Sequence, residues 1–141
     1  MAKRQFTMRL QCRYQDPDNS IAELIVEVLT ADGWQTLDLS VNSPGFQVFV
    51  YSVFACQHKY FHVNCAERGL MLTNSEGNLI IKTSRDWEIE SLWIEFTGYL
   101  KSGSVIDEDI DYILERMKQC PVSKNLLEVN DSQAKVQLIP L

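Results

Sequence analysis

From Phe46 to Arg68 the chain runs without a glycine or proline, and Gly69 then supplies a stop signal. Asn42-Ser43-Pro44-Gly45 punctuates the entry to this run. Its first half is apolar on most sides, through Val48, Phe49, Val50, Tyr51, Val53, Phe54 and Ala55. The β-branched content makes a strand conceivable locally, but the length and the continuation to Glu67-Arg68-Gly69 favour helix. A helix that is apolar nearly all round is a buried one. Any fold for this chain must therefore be built around a long central helix.

The flanks read as strands. Residues 5–15 alternate, with Phe6, Met8, Leu10, Cys12 and Tyr14 in one phase and Thr7, Arg9, Gln11 and Arg13 in the other. Asp16-Pro17-Asp18-Asn19-Ser20 is turn chemistry, Ala22–Thr30 a second strand, and Asp32-Gly33 a hairpin turn into Trp34–Ser40. After the helix, strand segments are expected at Leu70–Thr73, Leu79–Thr83 and Trp87–Leu100, with Asn74–Asn78 as a turn. The aromatics Trp87, Trp93, Phe96 and Tyr99 then lie on a strand, in the core or lining a pocket. Ser104-Val105-Ile106-Asp107 resembles a capping box before a helix carrying Ile110, Ile113, Leu114 and Met117 as its apolar stripe. A short helix after Cys120 ends near Glu128, and Lys135–Leu141 reads as a last strand. Condensed, the order is βββ-α-ββ-α-α-β, an α+β plan with no repeat or linker, read as one domain over 1–141.

The formal net charge of −6 argues against nucleic acid, whose phosphates are met by Lys and Arg. Met1-Ala2-Lys3-Arg4 runs into a polar/apolar alternation without a signal pattern, and the apolar stretch Val48–Ala55 is too short to span a bilayer. A soluble cytoplasmic protein is the expectation, with no membrane partner.

The chain has four cysteines but no C-x-x-C pair, so a structural zinc site is not expected. Cys12 and Cys65 read as core filler. Cys56, inside the long helix, is either a small core residue or a redox group. Cys120 precedes Pro121, a residue suited to the first position of a helix. As an N-cap it would face free N–H groups and the positive end of a helix dipole, which favour thiolate over thiol. Ser, Asn or Asp caps better, so a cysteine here leans functional. His58 and His62 are four apart, as metal ligands are, and Cys65 three residues past His62 is the one further donor that keeps a metal site open, but the motif is weak. The favoured reading is a polar stripe with Lys59 along the solvent or dimer face, with neither a metal nor a catalytic role.

This order of elements, a cysteine in Phe54-Ala55-Cys56, the helix end Ala66-Glu67-Arg68-Gly69-Leu70, and Cys120-Pro121-Val122-Ser123-Lys124-Asn125-Leu126-Leu127 together resemble the OsmC/Ohr family of osmotically inducible and organic-hydroperoxide-resistance proteins. The resemblance runs from about Gln5 to Leu141. It implies an OsmC-like α+β fold, antiparallel sheets around a long buried central helix, in an intertwined homodimer with paired sites at the interface. It also implies a thiol peroxidase without a cofactor. Cys56 would be the peroxidatic thiolate and Cys120 its resolving partner, with an external dithiol as reductant. The family's active-site Arg comes from the N-terminal hairpin region, where Arg9 and Arg13 are the candidates. The family's Ser/Asn-Pro-Glu before the central helix is here Ser43-Pro44-Gly45-Phe46-Gln47, so the Glu is replaced, with Gln47 as a neutral surrogate. A relative that keeps the fold and binds a small apolar ligand in the dimer pocket without chemistry is the alternative.

Overall fold

The computed structural model describes residues 3–126 and 131–141. Strands β1 (Arg4–Gln15), β2 (Ser20–Thr30) and β3 (Gly33–Thr36) form the opening meander, followed by helix α1 (Gly45–Glu67). Strands β4 (Met71–Thr83) and β5 (Ile89–Ser102), helix α2 (Asp107–Met117), a 3-10 turn at Ser123–Leu126 and strand β6 (Asp131–Ile139) complete the chain. All six strands join one sheet in the order β3-β2-β1-β4-β5-β6. Only β6 runs parallel to its neighbour, a direction it can take because α2 intervenes as a crossover from β5.

The expected α+β plan holds, and the alternation on β1 sets the layers. Met8, Leu10, Cys12 and Tyr14 are buried and belong to one core with Val50, Val53, Phe54 and Phe61 of α1. Arg9 and Arg13 take the opposite face, where they pair with Glu27 and Glu23 directly across on β2. The first strand thus does two jobs by its period of two.

Several boundaries differ from the sequence reading. Asn74–Asn78 is not a turn but the middle of β4. Its glycine is needed there, because a Cβ on Gly77 would stand 2.7 Å from the Phe96 ring on β5. That ring stacks on Phe61 of α1 with centroids 5.0 Å apart, so Gly77 is where strand and aromatic core meet. Trp87 lies in the β4–β5 turn rather than on a strand. Ser84 Oγ accepts from the N–H groups of Asp86 and Glu88, and Trp87 takes a φ of 69° with the Arg4 guanidinium over its ring. The third strand stops at Thr36 rather than Ser40. Beyond it Ser40 Oγ accepts from Asn42 N–H and Ser43 Oγ from Ser40 N–H, side chains competing with the ladder.

Helix α2 also begins later than the capping box proposed from Ser104. Ile106 is its N-cap residue, and Asp109 reaches back to accept from the Ile106 N–H at 3.0 Å. The last strand begins earlier than Lys135, at Asp131. The expected end of the short helix near Glu128 lies outside the described residues.

The β1–β2 turn is anchored from inside. Asn19, 3% exposed, donates from Nδ2 to the carbonyls of His62 and Leu70 and accepts from the Leu72 N–H. One side chain therefore ties the hairpin tip to the end of α1 and the start of β4.

Candidate active site

The two cysteines meet. Cys56 is half-buried on the side of α1 turned away from the sheet, and Cys120 is fully buried beyond the end of α2. Their sulfurs form a disulfide with the Cα atoms 6.1 Å apart, within the ordinary span of such bonds.

The C-terminal end of α2 brings Cys120 there. Successive N–H groups of Lys118, Gln119 and Cys120 fold back on the carbonyls of Leu114, Arg116 and Met117, tightening the last turn. Lys124 N–H then returns to Cys120 C=O at 2.8 Å. Cys120 was expected to cap an α-helix. It instead precedes two turn residues and a 3-10 segment of four residues, too short for a macrodipole, so the helix-dipole argument for a thiolate at this position does not apply.

Helices α1 and α2 are stitched by polar contacts along their length. Arg68 meets Asp109 at 2.8 Å, Tyr112 donates to Glu67, and Arg116 donates to Asn64. The Ile106 N–H and then the Arg68 guanidinium hold the Asp109 carboxyl below its usual range. Next to Cys56 in sequence, Gln57 donates from Nε2 to Met117 C=O at 2.9 Å and to Ser123 Oγ at 2.7 Å. Nothing in the sequence singles out Gln57; its one signal is a place beside Cys56, just past the end of the apolar run.

Neither arginine expected near the thiols reaches them within the chain. Arg9 is held by Glu27 and lies over the Trp34 ring, and Arg13 is held by Glu23, both on the sheet face opposite α1. The cation on the cysteine's own helix is Lys59, exposed and three residues on, where side chains of one helix face are neighbours. Gln47, the surrogate for the family Glu, is half-buried in the first turn of α1.

The histidines are not a surface stripe. His58 and His62 are buried beneath β1, with ring centroids 4.8 Å apart. Burial lowers His58 to about 3 and His62 to about 4, so both stay neutral at ordinary pH. Among the described residues no group of three His, Cys, Asp or Glu is placed to hold a metal ion. Cys12 and Cys65 are buried free thiols, and burial raises Cys12 to about 11 and Cys65 higher still. Between α1 and β2 runs a groove of about 460 Å³, with Leu24, Val26, Tyr51 and Ala55 among its walls and Lys59 at its edge.

No protein-family model matches the sequence, and no curated protein matches it. Solved structures do. An OsmC-like protein from Mycoplasma pneumoniae superposes with a TM-score of 0.52 at 11% identity, over 93% of this chain and 95% of that one. A hypothetical protein from Aquifex aeolicus VF5 gives 0.54 at 10% identity, over 94% and 96%. A Psychrobacter arcticus 273-4 protein assigned to osmotic stress induction and a detoxification response gives 0.52 at 13% identity, over 82% and 86%. The chain has the OsmC-like fold, and the resemblance read from its sequence is matched by its architecture. No helix among the described residues is long and apolar enough to cross a membrane.

Proposed function

We propose that this OsmC-like chain is a divergent member of the OsmC/Ohr family and reduces organic hydroperoxides through Cys56 and Cys120. The observation that carries the reading is the bond between these two cysteines, one half-exposed on a helix and one buried on a separate turn. The Cys56 thiolate attacks the terminal oxygen of the hydroperoxide, giving a sulfenic acid and, after protonation, the alcohol. The Cys120 thiol condenses with the sulfenic acid, forming the disulfide and releasing water. An external dithiol then returns both sulfurs to thiols by exchange and is itself oxidised to a disulfide.

Lys59 supports the thiolate in this reading, in place of Arg9 and Arg13, whose charges are committed to Glu27 and Glu23. The functional unit is a cytoplasmic homodimer. Val48 and Val63 on the outer side of α1 and Ile21 at the start of β2 are exposed apolar residues that a second copy would cover.

Reduced protein treated with one equivalent of cumene hydroperoxide tests the chemistry by intact mass and peptide mapping. Rapid formation of the Cys56–Cys120 disulfide, abolished in Cys56→Ser, is the expected result. Oxidation no faster than that of Cys12 and Cys65 would refute it.

The groove favours a second reading, a non-catalytic binder of a small apolar molecule. Aliphatic side chains of β1, β2 and α1 make half of its walls, with Tyr51 and the two histidines beside them, and its volume suits a compact ligand. A bound apolar molecule recovered by native mass spectrometry, and retained in Cys56→Ser, would support this reading over the first.

A further inference from the structure

We propose that Gln57 is a positioning residue that holds the Cys120 turn within reach of Cys56 when the two sulfurs are not bonded. The inference rests on the thiol pair proposed above, but its test does not require a hydroperoxide.

The geometry assigns the amide without ambiguity. Met117 C=O only accepts, so the Gln57 side chain must present its nitrogen there, and the same nitrogen lies 2.7 Å from Ser123 Oγ. Both amide hydrogens are thereby used, and the side chain, 4% exposed, has one orientation that satisfies them. The two acceptors flank Cys120 in sequence, three residues before it and three after. Met117 C=O also receives the Cys120 N–H at 3.2 Å, so the carbonyl that Gln57 grips is the one that fixes the cysteine's own backbone.

Cys120 is otherwise tethered through the end of α2 and a short 3-10 segment. Reduction of the disulfide removes the covalent link to α1, and the Gln57 bonds remain. Held in place, the Cys120 thiol acts on Cys56 at high effective concentration; released, it must find the sulfur from a mobile turn. The competing fate of a waiting sulfenic acid is further oxidation. A second hydroperoxide converts Cys56–SOH to the sulfinic acid and is reduced to its alcohol, an end point that thiols do not reverse. Gln57 thus sets the partition between resolution and overoxidation.

The measurement is the equilibrium of the Cys56–Cys120 disulfide against a dithiothreitol redox couple, for the wild type, Gln57→Glu and Gln57→Leu. Glutamate keeps the length and loses the donor, whereas leucine keeps apolar bulk. Each is expected to lower the effective concentration of the thiol pair about tenfold, measured well below the reduced-state melting temperature, which falls with the two lost bonds. Under excess cumene hydroperoxide the same variants should accumulate more Cys56 sulfinic acid by mass. Ser123→Ala, which removes one bond and leaves the helix untouched, should lower the effective concentration two- to fivefold and decides the matter where a Gln57 variant fails to fold. Wild-type values in all variants that fold would overturn the proposal. A wild-type protein with high effective concentration that hydroperoxide does not oxidise would instead refute the peroxidase reading and leave Gln57's role standing.

Discussion

Tyr14 Oη and His58 Nε2 stand 2.7 Å apart in the centre of the molecule, a hydrogen bond joining the first strand to the middle of α1. The same hydroxyl lies 2.6 Å from Ser75 Oγ on β4, so three elements converge on one oxygen. Burial keeps His58 and its neighbour His62 neutral, with pKa values near 3 and 4. An unfolded histidine titrates near 6.5. The folded pKa values are depressed, so the unfolded chain binds more protons at mildly acid pH. The histidines' contribution to stability is complete above about pH 6.5 and is lost as pH falls toward 4 and then 3, by about 1.4 kcal/mol per pH unit for each. Urea titrations at several pH values should show this slope, and it should shrink in His62→Gln. A flat profile from pH 7 to 5 would mean that the ring is solvated. Asp109, held below the usual carboxylate range, adds a further loss at still lower pH.

Asn19→Ala removes three buried hydrogen bonds and leaves the His62 and Leu70 carbonyls and the Leu72 N–H without that partner. At about 1 kcal/mol for each bond, the expected loss is about 3 kcal/mol. The position also has a φ of 57°, a conformation that Asn tolerates better than Ala. Chemical denaturation measures the loss; a change below about 1 kcal/mol would show that water replaces the side chain.

Gly77→Ala places a methyl 2.7 Å from Phe96 Cε1 and 3.1 Å from Leu10 Cγ, where nothing has room to yield without moving the Phe61–Phe96 stack. Overpacking of this kind costs about 1–3 kcal/mol. Gly45→Ala, in a position with no atom near the added methyl, is the matched control and should be close to neutral. Thermal melts of the two variants should separate clearly.

Alkylation should distinguish the four thiols of the reduced protein. Cys56, half-exposed, is expected to react with iodoacetamide first. Cys12 and Cys65, buried and with raised pKa values, should be modified only on unfolding. Peptide mapping over a time course reads the order directly, and early labelling of Cys65 would contradict the packing of α1 on the sheet.

Period and punctuation made much of this legible beforehand. The alternation from Phe6 to Tyr14 gave β1 and its two faces, and the unbroken run to Arg68 gave α1 nearly to the residue. What escaped was whatever depends on a distant partner. Asn74–Asn78 has the composition of a turn, and it is a strand because β1 and β5 pair with it on both sides, with Gly77 making room for the Phe96 ring. Likewise nothing local to His58 announces Tyr14, and nothing local to Gln57 announces Met117. Cys56 and Cys120 were singled out from local context and from family pattern, and they are joined; Arg9 and Arg13 were candidates by region alone, and their period put them behind the sheet.

The disulfide links a helix to the turn that follows another helix and touches no strand. The six-stranded sheet contributes neither sulfur, so the bond is mounted on the frame without being part of it. Such a chain can afford chemical wear. Loss of the bond at Cys56 would leave the ladders of the sheet untouched.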